Sequence, residues 1–272
     1  METKFTVIVD NIADNGISGE WGLSILIEHE SGRILLDAGA SDLFLENMKS
    51  LDIDVDTIDH AVLSHAHYDH AGGLPAFLEQ NSHAKLYVRE QTAADCYAKK
   101  FLFRKYIGIP RRMLVKYADR IEAVSGDFRL ADGVFLIPHK TEGLEAVGKR
   151  EMMYRKTSHG WKPDDFSHEQ SLVVDTDKGL VILNSCSHGG AYNIINEVQN
   201  TFPDKKVYGL IGGFHLFNKS EAEIRDFAGR VRETGIGYVC TGHCTGRRAF
   251  GILREELGDI AVQMRSGYRI VI

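Results

Sequence analysis

The sequence has few cysteines and no long hydrophobic run. Four cysteines in 272 residues are too few to indicate a disulfide framework. No apolar run approaches the roughly 20 residues that a membrane-spanning helix needs, and the opening stretch METKFTVIVD lacks the basic and then apolar pattern of a signal peptide. We therefore expect a soluble, cytoplasmic protein that has no membrane partner.

The sequence also lacks an excess of positive charge. It has 32 Lys and Arg residues against 38 Asp and Glu residues, which gives a formal net charge of −6 at pH 7. Such a balance provides no general attraction to nucleic acid or to an anionic membrane. No P-loop and no nucleophilic serine motif occurs, so neither NTP-driven chemistry nor covalent serine catalysis is indicated. We expect a small-molecule substrate and no nucleic-acid partner.

Short segments with the composition of β-strands recur along the chain. Many are bounded by Gly, Asp, Asn or Ser, which is typical of strand ends. In the first part of the chain these segments follow one another with few helical segments between them. They cover residues 4–10, 23–29, 32–38 and 59–65.

The last third of the chain alternates strand segments with helical ones. Apolar residues recur at helical spacing in 191–200, 220–235 and 247–258. Ser220 followed by Glu223 predicts a capping box at the start of the second helix. Gly235 and Gly258 predict the ends of the last two helices.

This order of segments predicts an α/β fold. The first part of the chain is rich in strands, and the last third alternates strands with helices. This order favours two mixed β-sheets packed face to face with helices outside, rather than a doubly wound parallel sheet. The sequence shows no internal repeat and no low-complexity linker. We therefore expect one domain over residues 1–272.

Residues 89–122 differ from their surroundings because they are locally basic and have a helical composition. Lys99, Lys100, Arg104, Lys105, Arg111 and Arg112 lie there among Tyr97, Phe101, Phe103, Tyr106 and Tyr117. We expect a helical insertion, either as an amphipathic helix pair on the surface or as a lid over an anionic or aromatic substrate. Residues 141–166 are expected to form a loop that can join such a lid.

The stretch LSHAHYDHAGG at 63–73 places three histidines and one aspartate within six residues. Alternate residues of a strand point to the same side, so His65 and His67 can bind one cation together. The chain then turns, and Asp69 and His70 project toward the same pocket from the start of a helix. Imidazole and carboxylate ligands together suit zinc, iron or manganese. The stretch therefore predicts half of a metal centre.

The pattern HxHxDH resembles the signature of the metallo-β-lactamase superfamily. The segments ILLDAG (34–39) and YVCTGHCTG (238–246) extend the resemblance over almost the whole chain. The resemblance implies an αββα sandwich of two mixed β-sheets with up to two metal ions at the sheet edge. Zinc is the expected metal, and iron or manganese are possible.

Further segments resemble one subgroup of this superfamily. That subgroup is similar to 7,8-dihydropterin-6-methyl-4-(β-D-ribofuranosyl)aminobenzene-5'-phosphate synthase. The segments are GLS (22–24), EQSLVV (169–174), CSHGG (186–190), GGFHL (212–216) and GHCTG (242–246). Names within the superfamily predict the substrate poorly, since the fold hosts many reactions.

The later ligands implied by the resemblance fall at the ends of apolar strand segments. One set has His65, His67 and His188 on one ion and Asp69, His70 and His243 on the other. In an alternative set, His168 binds the first ion, and Cys186 bridges the two ions or binds the second.

These residues predict metal-dependent hydrolysis. A cation held by three histidines lowers the pKa of a bound water toward ~7 and makes it a nucleophile. Asp69 is expected to orient that nucleophile, and His215, at another strand end, is expected to act as a general acid or to contact the substrate. The expected substrate is small and anionic, with a phosphate or an ester group.

Two other functions stay open at this point. The subgroup implies a synthase or transferase that acts on a pterin or an aminobenzene ribose phosphate. The chain is alternatively a metal or ligand sensor that kept the fold without catalysis.

Overall fold

Two seven-stranded sheets lie at the centre of the structure, a computed structural model that describes residues 2–272. Strands are numbered along the chain. The first sheet holds β1 (Lys4–Val9), β2 (Ser24–His29), β3 (Gly32–Leu36), β4 (His60–Val62), β5 (Lys85–Arg89), β8 (Ile121–Val124) and β18 (Arg269–Val271). The second holds β9 (Phe128–Ala131), β10 (Val134–Pro138), β13 (Gln170–Thr176), β14 (Gly179–Asn184), β15 (Val207–Gly212), β16 (Tyr238–Thr241) and β17 (Ala261–Gln263).

Both sheets mix parallel and antiparallel pairs. The first has the order β18-β1-β2-β3-β4-β5-β8 and is parallel from β3 to β8. The second has the order β17-β16-β15-β14-β13-β10-β9 and is parallel from β14 to β17. The carboxyl ends of parallel strands meet at one edge of a sheet, where ligands commonly bind.

A shared core joins the two sheets face to face. Phe5 and Leu36 from the first sheet belong to it together with Leu172 and Val181 from the second. The opposite faces of the sheets are covered by helices, so most central strands are buried on both sides and read as nearly continuous hydrophobic runs. This layering confirms the predicted α/β sandwich.

Eight α-helices occur in the described residues. They are α1 (Leu43–Ser50), α2 (Tyr68–Ala71), α3 (Leu74–Gln80), α4 (Met113–Lys116), α5 (Glu145–Arg150), α6 (Ala191–Thr201), α7 (Glu221–Glu233) and α8 (Arg247–Leu257). Helices α1 and α3 pack on the first sheet, and α6, α7 and α8 pack on the second. No helix within residues 2–272 is long and apolar enough to cross a membrane.

The three later helices follow the sequence pattern closely. Helix α7 begins with the predicted capping box, in which Ser220 and Glu223 satisfy each other's backbone N–H groups. Gly235 and Gly258 have positive φ angles of 72° and 63° just after α7 and α8. Glycine adopts this left-handed conformation readily, which explains why these helices end there.

The expectation of a helical insertion at 89–122 is wrong. Residues 96–106 form a hairpin of β6 (Cys96–Lys100) and β7 (Phe103–Tyr106), and helical structure is limited to α4 and a 3₁₀ turn at Ala118–Arg120. The hairpin joins β11 (Met153–Thr157) and β12 (Gly160–Pro163) in a four-stranded sheet of order β12-β11-β6-β7.

Cross-strand aromatic contacts explain why this segment is a sheet. The Tyr97 ring lies 5.3 Å from that of Tyr106 and 4.9 Å from that of Trp161, both in edge-to-face geometry. Arg104 stacks over Trp161 at 4.4 Å. Such pairs stabilise neighbouring strands, and the two that involve Trp161 join segments far apart in the chain, which local composition does not reveal. Residues 141–166 likewise form α5, β11 and β12 rather than a loop.

Candidate metal centre

The histidine-rich stretch follows β4 at the edge of the first sheet. His67 occupies the N-cap position of α2, and that short helix carries Asp69 and His70. The backbone of His67 pairs with Gly108, and the N–H of Tyr68 donates to the chain just after β7. The four-stranded sheet therefore supports the stretch from outside.

Asp37, at the end of β3, anchors this stretch from the neighbouring strand. Its carboxylate accepts hydrogen bonds from the N–H of Ser64 at 2.7 Å and from the Ser64 hydroxyl at 2.6 Å, and Oδ2 lies 2.8 Å from Nδ1 of His70. The Ser64 oxygen is also 2.9 Å from Nδ1 of His65. Asp37 thus orients two imidazoles, one directly and one through Ser64. The only sequence signal for it is the acidic residue of ILLDAG, directly after the apolar run.

The first candidate ion position lies between His65, His67 and His188. One ring nitrogen from each lies within 4.8 Å of the others. Nε2 of His65, Nε2 of His67 and both ring nitrogens of His188 have no hydrogen-bond partner among residues 2–272. Buried polar atoms without partners are rare, and three rings facing one point are suited to bind a cation.

The protonation of these rings agrees with metal binding. Burial is the main cause that lowers the pKa of His65 and His188 far below its ordinary value and that of His67 to about 3. These imidazoles are therefore neutral at pH 7. A neutral imidazole keeps the lone pair that a metal ion needs.

The second candidate position lies between Asp69, His70 and His243. Oδ2 of Asp69 is 3.6 Å from Nε2 of His243 and 3.9 Å from Nε2 of His70, and it accepts a hydrogen bond of 2.9 Å from the Trp21 indole. Nε2 of His243 has no partner in the described part of the chain. Both positions were predicted from the sequence, but Trp21 was not.

His70 differs from the other rings because it is held by carboxylates. Burial lowers the pKa of His70, but the charges of Asp37 and Asp69 outweigh it and raise this pKa to about 9. The proton on Nε2 then points between Asp69 and Cys186, since Asp37 already contacts Nδ1. A divalent ion bound at this point would take the place of that proton.

Cys186 lies at the centre of the cluster. Its Sγ atom is 3.4 Å from Nε2 of His70. It forms one group of mutually close ligand atoms with His65 and His70, and another with His188 and His215. This position between both candidate sites matches the bridging role that the alternative ligand set gives to Cys186.

His168 is placed behind the first position rather than in it. Its Nδ1 accepts a hydrogen bond from the N–H of Ala66 at 3.1 Å, and its Nε2 lies 3.2 Å from Asp164 and 3.6 Å from the sulfur of Cys96. Burial opposes protonation, but Asp164 leads the contacts that raise the pKa of His168 well above its ordinary value. Both of its ring nitrogens therefore have protein partners, unlike those of His188. His168 also forms a group of mutually close ligand atoms with His67, Cys96 and Asp164.

The loop that carries His188 is held by a buried carboxylate that sequence reasoning missed. Glu169 accepts hydrogen bonds from the N–H groups of His188 and Gly189 at 3.2 and 3.3 Å, and it contacts the His139 ring. Phe166 stacks flat on the His188 ring at 4.5 Å. The signal was present in EQSLVV, where a charged residue opens a hydrophobic strand.

The loop that carries His243 is held by the end of β1. Asp10 accepts a hydrogen bond of 2.7 Å from the N–H of His243, and the Asn11 amide oxygen is 3.1 Å from Nδ1 of the same ring. The Asn11 contact makes Nδ1 the donor and leaves the Nε2 lone pair facing Asp69. These partners lie more than 230 positions from His243 in the chain, and no sequence pattern connects them.

His215 lies beside the first position, at the end of β15. Its ring centroid is 4.8 Å from that of His188, and its Nε2 is 3.6 Å from Glu151. Burial lowers the pKa of His215, but contacts with Cys244 and Glu151 outweigh this and raise it to about 9. His215 therefore carries a proton at neutral pH and can donate it.

Two cavities open next to the cluster. One, of about 190 Å³, is lined by His188 and His215 together with Arg150, Glu151 and Lys219. The other, of about 210 Å³, is lined by His243, Trp21, Asn11 and Arg247, among others. Either cavity gives a small molecule access to the candidate ligands.

The family model of the metallo-beta-lactamase superfamily matches residues 22–183 of the chain. This match spans more than half of the sequence and contains the HxHxDH stretch. The chain belongs to the metallo-beta-lactamase superfamily. The resemblance read from the sequence is thereby confirmed.

Relatives within and around the superfamily cover nearly the whole chain. A 7,8-dihydropterin-6-methyl-4-(beta-D-ribofuranosyl)-aminobenzene-5'-phosphate synthase of Methanocaldococcus jannaschii is 29% identical over 90% of this chain and 88% of its own length. The crystal structure of a metal-dependent hydrolase of the beta-lactamase superfamily aligns with a TM-score of 0.85 and 28% identity over 99% of both chains. A diphosphatase of the PhnP family aligns with a TM-score of 0.57 and 12% identity over 100% of this chain and 98% of its own, which shows a common fold alone.

Membership in the metallo-beta-lactamase superfamily makes a divalent metal the expected occupant of this edge. The free ring nitrogens and the mixed donor set in the described residues fit such an ion.

Proposed function

We propose that this protein is a metal-dependent hydrolase with two zinc ions at the edge of its sheets. His65, His67 and His188 would hold one ion, and Asp69, His70 and His243 the other, with Cys186 between them. The observation that carries the proposal is the convergence of buried nitrogens without hydrogen-bond partners from His65, His67 and His188 on the first point. At the second point, the unpartnered Nε2 of His243 lies 3.6 Å from Asp69. Iron or manganese would also bind imidazole and carboxylate donors, but this donor set favours them less than it favours zinc.

Divalent ions bound there would make a water nucleophilic at neutral pH and polarise the substrate oxygen. Asp69 is held by the Trp21 indole, so its carboxylate has a fixed direction from which to orient the nucleophile. His215 is protonated at neutral pH and half-buried beside the cluster, and it can donate its proton to the leaving group. Glu151, 3.6 Å from Nε2 of His215, stabilises the protonated ring.

We propose a small anionic substrate with a phosphate or an ester group. Arg247 lines the cavity beside His243 and makes no ion pair with any described residue, so its charge is available to a ligand. It is also the first residue of α8, whose N-terminal N–H groups favour an anion. Arg150 and Lys219 line the other cavity, but both already contact Glu151.

A synthase or transferase acting on a pterin or aminobenzene ribose phosphate is the second candidate. The similarity to the named synthase of M. jannaschii over 90% of this chain favours it. Trp21 is 45% exposed and lines the cavity beside Arg247, so an aromatic ring and a phosphate have partners in one place.

Oxygen-18 labelling separates the candidates. Zinc-loaded protein is incubated in H₂¹⁸O with phosphodiesters, lactones and aminobenzene ribose phosphate plus a pterin, and the products are analysed by mass spectrometry. A hydrolase places one ¹⁸O from water in its product, whereas a synthase gives a condensed product without a label from hydrolysis. The His67→Ala variant should be inactive and the His159→Ala variant fully active. Tight metal binding without any turnover would leave the sensor as the remaining function.

A further inference from the structure

Two buried thiols meet at the second ion position, and they come from different strand ends. Cys186 follows β14 and Cys244 follows β16. Their sulfurs and one ring nitrogen of His243 lie within 4.8 Å of one another. We propose that Cys244 and Cys186 bind the second ion together as a thiolate pair. The proposal rests on the metal centre proposed above and adds Cys244 to it.

The three atoms are close enough to one another to bind one ion. With Zn–S bonds of about 2.3 Å, two sulfurs on one zinc ion lie about 3.8 Å apart. The three ligand atoms here lie within 4.8 Å of one another, so small side-chain movements would bring them to that spacing. Each thiol releases one proton to solvent when it binds the metal, so the step is balanced without an oxidant.

The surroundings of both sulfurs fit thiolates. Neither cysteine forms a disulfide, and their exposed fractions are only 3% and 1%. The sulfur of Cys244 accepts a hydrogen bond of 3.3 Å from the N–H of His215, and that of Cys186 lies 3.4 Å from Nε2 of His70. The N–H of His215 stabilises a thiolate at Cys244. Burial and the nearby Cys244, Asp69 and Glu169 raise the pKa of Cys186, so its thiolate would form only when a metal ion binds.

The backbone around Cys244 makes room for its sulfur. A Cβ atom at Gly213 would lie 2.6 Å from Sγ of Cys244, so a larger residue at this position would displace it. His243 adopts a positive φ of 46°, an uncommon conformation for a residue other than glycine. The chain thus accepts an unfavourable backbone geometry where His243 and Cys244 approach the same point.

Cys240 provides the contrast. It is fully buried as well, but it packs in the hydrophobic core between the two sheets. A thiol in that position serves packing, and its replacement by serine is a matched control for Cys244, four residues further along the chain.

The two ion positions would then differ in kind. The first would have three neutral imidazoles, and the second would add two thiolates to Asp69, His70 and His243. Thiolates select borderline and soft ions such as Zn²⁺ and Cd²⁺ over Mg²⁺ or Mn²⁺. We expect the second position to discriminate between metals more strongly than the first.

Cobalt substitution tests the proposal. Full-length protein is stripped of metal and loaded with two equivalents of Co²⁺, and the sulfur-to-cobalt charge-transfer absorption is recorded. The Cys244→Ser and Cys186→Ser variants should each lose about half of this absorption, and the double variant should lose all of it. The Cys240→Ser variant should keep the full intensity. Unchanged absorption in Cys244→Ser would overturn the proposal.

A measurement on the unaltered protein tests the proposal even if the cysteine variants do not fold. The ¹¹³Cd NMR shift of the cadmium-loaded protein reports the number of sulfur ligands, and a resonance in the range for two thiolates is expected. Bound cadmium with one sulfur or none would refute the thiolate pair while the hydrolase proposal stands. A two-sulfur signal without turnover of any substrate would support the thiolate pair and refute the hydrolase proposal. Failure to bind cobalt or cadmium would refute both the thiolate pair and the metal-dependent hydrolase.

Discussion

The two halves of the chain build their shares of the metal centre in different ways. The first sheet contributes four candidate ligands from a single stretch, His65 to His70, and one carboxylate, Asp37, holds it. The second sheet contributes candidate ligands from two separate strand ends, at Cys186–His188 and at His243–Cys244. Each of these loops needs its own anchor. One half is therefore locally organised, and the other depends on distant contacts.

The largest effect is expected from His67→Ala in the local half. The change removes one of three imidazoles at the first ion position, and the remaining two provide no substitute. We expect metal affinity at that position to fall by more than the roughly 10–100-fold typical of losing a partner behind a ligand, and activity to disappear. Metal content by mass spectrometry after dialysis measures this. The exposed His159→Ala is the control, and normal metal retention in His67→Ala would contradict the assignment.

The next effect is expected from Asp37→Asn, which tests how the local half is held. An amide cannot accept the hydrogen bonds from Ser64 and His70 with both of its terminal atoms, so the His70 ring loses its fixed orientation. We expect about 10–100-fold weaker metal binding and a lower melting temperature. Asp132→Asn, on the surface, provides the matched control. If metal affinity stayed the same, Asp37 would have a purely structural role.

A smaller effect is expected from Glu169→Gln, which tests one anchor of the distributed half. The amide oxygen can still accept a hydrogen bond from His188 or Gly189, which are already at 3.2 and 3.3 Å. We expect about 10-fold weaker binding at the first position only. Calorimetric titration with zinc resolves the two positions. An equal loss at both would show that the two halves are not anchored independently.

The smallest effect concerns the pH dependence of stability through His139. Burial lowers the pKa of His139, but Glu169 and Glu197 outweigh it and raise this pKa to about 9, whereas an unfolded histidine titrates near 6.5. The stabilisation is therefore fully present below about pH 6.5 and is lost as the pH rises through about 9. Melting temperatures from pH 6 to 10 should fall less in His139→Gln than in the unaltered protein. Parallel curves for the two proteins would refute the assignment, and His159→Gln should behave like the unaltered protein.

The same contrast explains which parts of the site could be predicted from the sequence. His65, His67, Asp69 and His70 are neighbours in the chain, so their meeting follows from local geometry alone. His188 and His243 could be proposed because they follow strands whose carboxyl ends share an edge. Their anchors could not be found in this way, since Asp10 and Glu169 act across 233 and 19 positions.

The hairpin at residues 96–106 shows which part of the fold could not be predicted from the sequence. Its composition favours a helix, yet it pairs with β11, about 50 residues later in the chain. Strand formation depends on the partner that covers the backbone and side chains, so local preference can be overruled by tertiary contacts. By contrast, α7 and α8 follow the sequence because their apolar spacing and their glycine ends act within one helix.

The sequence by itself determined the layered α/β architecture, the three later helices and the first four candidate ligands, because periodic burial and chain proximity are local properties. Only the tertiary structure placed the unpartnered ring nitrogens of His188 beside His65 and His67, gave both ring nitrogens of His168 protein partners, and brought Cys186 close to Cys244. It also placed Asp37 and Glu169 where they hold the loops of the candidate ligands. Those outcomes depend on which strand ends share an edge and on which ring nitrogens already have partners. Such properties exist only once distant segments are packed together.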